Sequence, residues 1–397
     1  MKTDKIELIN QGSYGCIYHP GLTCKGTLGN TRFITKIQKR RDNSDKETQI
    51  GKKIKKIKHY QNYFAPVLNS CPINISTIDN KELKKCEFVA NKPKDTYMSN
   101  RIKYIGTETL ADYLLRIFQN NPNQFLSILV DSYLYLLTSL TLLNDIKIVH
   151  MDLKENNIVV DSITEKPIII DFGMSFDTTE IQSCTMTDNK NNTMKECENI
   201  KNIFFVYGSD YAPWCIEISM ITYINEIQNL DEIVTQKQLE FIINDYLKTN
   251  PVLQYITPIE ASEYHKALMT YVTPMIGKNW KDLVTKLTES IDTWDNYAIA
   301  IIILQIIHNM DIAELKPIID ILKTVILSVP DKRINANETK IKVTQSVIKM
   351  TKTKGLLDKI HKKSKDKDFI EKQINNNKNS KLAILRREEY MNQKLFK

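Results

Sequence analysis

The sequence predicts an α+β chain, with a small antiparallel sheet near its N-terminus and a mainly helical remainder. Three observations carry this prediction. Residues 6–18 (IELINQGSYGCIY) and 32–39 (RFITKIQK) alternate apolar and polar positions, the two-residue period of half-buried strands. Apolar residues then recur at spacings of three and four, first at Ile50, Ile54 and Ile57 and later within 235–247 and 264–272, which is the period of amphipathic helices. Residues 294–307 (WDNYAIAIIILQII) are apolar almost all round, the mark of a helix buried on every side and too short to span a bilayer.

Between these regions lie IVHMDLKENNIVV (148–160) and IIIDFG (168–173). The apolar triplets 158–160 and 168–170 flank a polar turn and read as paired strands. That pairing sets Asn157 beside Asp171, two hard oxygen donors suited to magnesium, which takes few protein ligands and keeps several waters. Asp152 and Lys154 stand just before them. Near the N-terminus, the glycines of 6–18 predict a turn whose backbone N–H groups can approach phosphate oxygens.

The two linked motifs resemble the catalytic core of protein kinases, HRDLKxxN followed by DFG, with Met151 where the family has arginine. The resemblance implies a bilobal protein-kinase-like fold. Its ATP-binding N-lobe, a small antiparallel β-sheet plus one helix, would span 1–105 and its mainly α-helical C-lobe 106–345; outside the resemblance, apolar residues at helical spacing predict a helical insertion in the C-lobe at about 218–290, and a basic helical tail is expected at 346–397. It also implies ATP and Mg²⁺ as cofactors. Asp152 would accept the proton of the attacking hydroxyl, Lys154 would neutralise charge on the moving phosphoryl group, and Asn157 and Asp171 would hold the metal.

The same resemblance assigns further positions. Gly12 and Gly15 match the second and third glycines of the phosphate loop, with Ser13 inside it; Asn10 stands where the first glycine would be, and asparagine tolerates left-handed backbone. Ile17 would lie over the adenine, and Lys36 would grip the inner phosphates. Its partner would be Glu47, the only glutamate between Lys36 and Glu82, at the start of the helix carrying Ile50, Ile54 and Ile57. Gly51, one turn further on, departs from the bulky apolar residue the family uses against the Phe of DFG. Lys103 to Ile105 would form the hinge that reads the adenine edge, with Ile102 guarding the back pocket. Glu217 would pair with Arg333 as a bidentate brace, and Ser209 would place a hydroxyl near Asp152 and Lys154. Asp292, two residues before Trp294, would cap backbone amides of the catalytic loop, with Asp295 as the second candidate.

Composition sets the remaining expectations. With 397 residues, 42% hydrophobic and 26% charged, the chain is long enough for two lobes and a substantial core. The N-terminus has no apolar signal region and the C-terminus fits no lipidation motif. Seven scattered cysteines without a CxxC predict reduced thiols in a cytoplasmic setting, and the spacing of Cys184, Cys197 and Cys215 fits no common zinc site. The net charge of +8 is concentrated in a tail whose lysines alternate with acidic residues, which predicts a solvated helix with no specific nucleic-acid or membrane partner. The segment from Phe176 to Phe204 is long, polar and expected to move freely. Richness in Lys, Asn and Ile, with WCIE at 214–217, looks similar to kinases of large DNA viruses. The expected function is therefore transfer of the γ-phosphoryl group of ATP to Ser/Thr hydroxyls of a protein substrate. The alternatives are a pseudokinase scaffold that binds partners through the insertion or tail, and a kinase-like phosphotransferase acting on a small molecule.

Overall fold

Alternation becomes strand pairing in the N-terminal part. In a computed structural model, which describes residues 5–12, 15–38, 41–75, 81–91, 96–181, 200–310, 312–350 and 355–395, these strands are β1 (Glu7–Gly12), β2 (Gly15–His19), β3 (Phe33–Gln38), β4 (Phe64–Ala65), β5 (Val67–Asn74) and β6 (Thr96–Lys103). Five of them form one antiparallel sheet in the order β1-β2-β3-β6-β5. The register lines up Asn10, Ile17, Lys36, Asn100 and Ser70 as successive cross-strand partners, so these five share one face. Residues one step along each strand point the other way. Cys16, Tyr18, Ile37 and Tyr97 join Leu83, Cys86 and Val89 in an apolar cluster on the opposite face, where the short helix α2 (Glu87–Asn91) follows.

The polar face is covered by helix α1 (Arg41–Ile54). Gly51 is what permits that approach: a Cβ there would stand 2.3 Å from the Val67 carbonyl oxygen, so no side chain fits. The Phe of DFG, Phe172, finds its aromatic neighbour elsewhere, in an edge contact with Phe64 at 6.1 Å between centroids.

Four cysteines depart from the expectation of reduced thiols. Cys16 of β2 is bonded to Cys86, which follows a 3₁₀ turn (Leu83–Lys85), and Cys24, in the connection from β2 to β3, is bonded to Cys71 of β5; the Cα atoms stand 6.0 and 5.9 Å apart, within disulfide reach. Cys215 is free and buried. Cys184 and Cys197 lie outside the described residues, as do Ser13 and most of the polar 176–204 segment.

The chain divides into two units, one made of 1–109, 157–175 and 382–397, the other of 110–156 and 176–381. Apart from the sheet, the first unit contains the hairpin of β8 (Ile158–Val160) and β9 (Pro167–Ile170), with β4 parallel to β9; β7 (Ile148–Val149) pairs with β10 (Phe176–Asp177) in the second. The second unit is helical: α3 (Leu110–Asn120), α4 (Pro122–Asp145), α5 (Ile216–Thr222), α6 (Gln236–Thr249), α7 (Pro258–Val272), α8 (Trp280–Thr288), α9 (Trp294–Ile307), α10 (Lys316–Leu327), α11 (Ala336–Met350) and α12 (Leu356–Ser364). A last helix, α13 (Lys367–Leu395), contributes its residues up to Lys381 to this unit.

Local chemistry explains where several of these begin. Thr235 with Gln238 and Thr257 with Glu260 form reciprocal capping boxes at α6 and α7, each satisfying two backbone donors that a helix start leaves open. Helix α9 is buried along almost its whole length, as its all-round apolarity requires. Helix α4 is long and apolar enough to cross a membrane by length and composition alone; its buried side chains, among them Phe125, Leu129, Leu136 and Leu140, belong to the core of this unit.

Candidate active site

In the first unit the site is built around a buried ammonium. Strand β3 places Lys36 on the face covered by α1, 4% exposed, with Nζ 2.7 Å from Asp171 Oδ1 and 3.4 Å from Glu47 Oε1. Burial alone lowers an amine's proton affinity, but the carboxylates of Asp171 and then Glu47 outweigh it, so Lys36 is held charged above its usual range. Burial pushes the Glu47 carboxyl up against the opposing pull of Lys36.

Glu47 is itself held by residues that the sequence reading did not single out. Gln38, two positions from Lys36 on the same strand face, donates to Glu47 Oε2 at 2.6 Å, and Asn100, the cross-strand partner of Lys36, donates at 3.4 Å. Ser44, one turn before Glu47, donates to Asn100 Oδ1 at 2.5 Å and meets the Ser70 hydroxyl at 2.8 Å. The two-residue period of β3 and the register of β6 contain this network, but only strand pairing reveals that Asn100 belongs to it.

Asp171 directly follows β9 with φ of 59°, a left-handed conformation that a short polar side chain tolerates better than most. Gly173 donates its N–H to Asp171 Oδ1 at 3.3 Å, and a Cβ on Gly173 would lie 3.2 Å from that oxygen and 3.4 Å from Lys36 Nζ. Asn157 closes a short 3₁₀ turn (Glu155–Asn157) directly ahead of β8. Since Ile158 pairs with Ile169, Asn157 and Asp171 flank the same end of the hairpin. One amide and one carboxylate oxygen there are hard donors and fit a magnesium ion that takes its other ligands from water and phosphate. Among the described residues no group of three or more His, Cys, Asp and Glu side chains is arranged to hold a metal.

The remaining residues expected at the nucleotide fall in the same unit. Gly12 pairs with Gly15, and a Cβ on Gly15 would stand 2.3 Å from the Ile37 carbonyl oxygen. Ile17 is half-buried and directly opposite Lys36. Asn10 is exposed and stays in strand backbone beside a bulge between Leu8 and Asn10, without the left-handed dihedrals its family position suggested, because pairing with Ile17 keeps it extended. Lys103 ends β6 opposite Phe33, the Tyr104 N–H donates to the Arg32 carbonyl at 2.9 Å, and Ile105 is buried with Ile102 and Val159 in one apolar cluster.

In the second unit, Asp152 is 5% exposed and both its oxygens are engaged. Lys154 Nζ lies 2.8 Å from Oδ2, and the Tyr211 hydroxyl donates to Oδ1. Lys154 also reaches that hydroxyl at 3.4 Å. Here the structure corrects an expectation: Tyr211, not Ser209, brings the hydroxyl to Asp152 and Lys154. Ser209 donates instead to Asp245 Oδ2 at 2.5 Å, too short a side chain to serve both places.

A second correction concerns the cap on the backbone amides of His150 and Met151. The carboxylate of Asp295, inside the first turn of α9, accepts the His150 N–H at 2.7 Å and the Met151 N–H at 3.0 Å. Asp292 sits in the preceding 3₁₀ turn (Ile291–Thr293), where Asn144 donates to its backbone carbonyl. These bonds hold Met151 at φ of 65°, and its carbonyl accepts from Trp214 Nε1 at 3.0 Å. An unusual dihedral of this kind costs of order 1–3 kcal/mol and persists where neighbours over-determine it.

Glu217 and Arg333 form a fully buried pair: Nη1 binds Oε1 and Nη2 binds Oε2 at 2.9 Å, while the Nε–H donates to the Val325 carbonyl at 3.1 Å. Glu155, one residue beyond Lys154, escaped the sequence reading. It is 4% exposed, its Oε2 has no partner among the described residues, and burial pushes its carboxyl up to about 7. No family model matches the chain, and a search of curated proteins finds none similar to it.

Proposed function

We propose that the protein is an ATP- and Mg²⁺-dependent protein kinase with a bilobal kinase-like fold, transferring the γ-phosphoryl group to Ser/Thr hydroxyls of a protein. The observation that carries this reading is the buried Lys36 ammonium held between Glu47 and Asp171, charges from three separate parts of the chain. A charged lysine fixed by a helix-borne glutamate is suited to gripping phosphate oxygens, and a buried ion pair is otherwise a weak source of stability.

In this reading Lys36 orients the phosphates and Glu47 keeps its ammonium in place. Asn157 and Asp171 would hold the metal, which neutralises charge on the phosphates when bound. Asp152 accepts the acceptor's proton and Lys154 offsets charge building on the moving group. The choice of Ser/Thr rests on Lys154 following Asp152 at the family's spacing.

The test is transfer of labelled phosphate from Mg²⁺–ATP to generic basic and acidic proteins. Asp152→Ala should cut turnover by about 10² to 10⁴ while calorimetry still detects Mg²⁺-dependent nucleotide binding. Parental protein that binds no nucleotide with Mg²⁺ and transfers no phosphate would end this reading; binding without transfer would favour a scaffold.

A further inference from the structure

The helical stretch after Glu217 reaches back to the segment that contacts Asp152. Asp245, in the last turn but one of α6, accepts the Tyr207 hydroxyl at 2.8 Å and the Ser209 hydroxyl at 2.5 Å on the same oxygen, Oδ2. One turn further, the Thr249 hydroxyl donates to its own helix at the Asp245 carbonyl, 2.7 Å away, and its Oγ1 lies 3.0 Å from Ser209 Oγ. At the end of α6, Asn250 is buried; its Nδ2 meets the Trp214 carbonyl at 3.5 Å while its Oδ1 caps Val252 at 3.1 Å. The Tyr207 ring packs edge-on against Tyr223 at 5.6 Å, and Tyr223 stacks on Trp280 at 5.4 Å.

The segment is therefore gripped at both ends by one helix. Within this segment, Tyr211 donates to Asp152 and Trp214 to the Met151 carbonyl. Neither contact to the loop is local in sequence, so each depends on where residues 207–214 are held. Ser209 is buried, so its hydroxyl needs a partner, and Asp245 is its strongest.

We propose that Asp245 is a positioning residue: by gathering the hydroxyls of Tyr207 and Ser209 it fixes the 207–214 segment so that Tyr211 and Trp214 hold the Asp152 loop ready for phosphoryl transfer. This rests on the kinase reading for its activity readout. What Asp245 contributes is acceptance of two hydrogen bonds, which an amide oxygen at the same place can also provide. Alanine preserves the helix itself, since it is the best helix former.

The experiment compares Asp245→Ala, Asp245→Asn, Tyr207→Phe/Ser209→Ala and the triple combination. Asp245→Ala is expected to lower kcat about tenfold, the loss of one to two hydrogen bonds to a charged group, with KM for ATP unchanged. Asp245→Asn should stay within about threefold of the parent, the Tyr207→Phe/Ser209→Ala pair should reproduce the alanine variant, and the triple variant should lose nothing more. Hydrogen exchange should speed up at residues 207–214 in Asp245→Ala while α6 keeps its protection. Unchanged exchange at 207–214, or losses that simply add, would overturn the proposal. Absence of transfer by the parent would defeat the kinase reading instead, and the exchange measurement would still decide whether Asp245 anchors the segment.

Discussion

Lys36 Nζ lies 2.7 Å from Asp171 Oδ1, closer than its 3.4 Å approach to Glu47, so the metal-ligand candidate and the phosphate-binding candidate are ion-paired with each other. Replacing the lysine strands two negative charges. Lys36→Met should abolish Mg²⁺–ATP binding and cost about 3 kcal/mol of stability, the low end for breaking a buried pair, because the Asp171 side chain is 36% exposed. Adding Glu47→Gln should return most of that stability and none of the binding. Urea melts and calorimetry check both, and a stable Lys36→Met protein would show that the pair is not structurally coupled.

Tyr211 offers Asp152 a hydroxyl that its sequence position did not advertise. Tyr211→Phe keeps the ring against Trp214, 5.2 Å between centroids, and removes the hydroxyl that donates to Asp152 and accepts from Lys154. Turnover should fall about 10-fold or somewhat more, the worth of a hydrogen bond to a charged group, with nucleotide affinity unchanged. Steady-state kinetics beside ATP titration decide this; equal kcat in the two proteins would make the contact incidental.

Gly51 should tolerate nothing larger. A methyl at 2.3 Å from the Val67 carbonyl oxygen forces α1 away from β5, and overpacking of this kind costs about 1–3 kcal/mol. Gly51→Ala is expected to lower the melting temperature and, by shifting Glu47 on the same helix, to weaken ATP binding. A variant melting with the parent would refute the close packing.

Glu155 gives stability a pH dependence. Its folded pKa of about 7 is above its ordinary value near 4.5, so between those limits the folded state holds the extra proton and stability falls as pH rises. Above pH 7 the penalty is complete, on the order of 3 kcal/mol. The charges facing it are Lys381, which opposes the shift, and Asp112, which adds to it; the two pair with each other at 2.7 Å. Glu155→Gln should therefore melt near the parent at pH 5 and increasingly above it up to pH 7, levelling beyond. A constant difference across that range would refute it.

Much of this arrangement was legible because the residue types are rare where they occur. Glu47 was the only glutamate in reach of Lys36, and Glu217 and Arg333 were singled out by motif spacing; both pairs meet. The Asn157–Asp171 hairpin followed from two apolar triplets around a polar turn. Other assignments turned on differences of a few residues. Asp292 and Asp295 are three positions apart, and only the handover from 3₁₀ turn to α-helix decides which carboxylate faces His150 and Met151. Ser209 and Tyr211 are two apart, and side-chain reach decided between them. Disulfide pairing was out of reach, since spacing does not specify connectivity.

The amino-acid sequence alone determined the alternating strands, the amphipathic and all-apolar helices, and which polar residues stood at strand ends, because these follow from local periodicity and side-chain type. Tertiary structure alone decided that Gln38, Asn100 and Ser44 hold Glu47, that Cys16 meets Cys86, and that Asp245 anchors Tyr207 and Ser209. Each of those contacts joins distant residues through a strand register or a packed helix, and such long-range geometry leaves no periodic trace in the residues it unites.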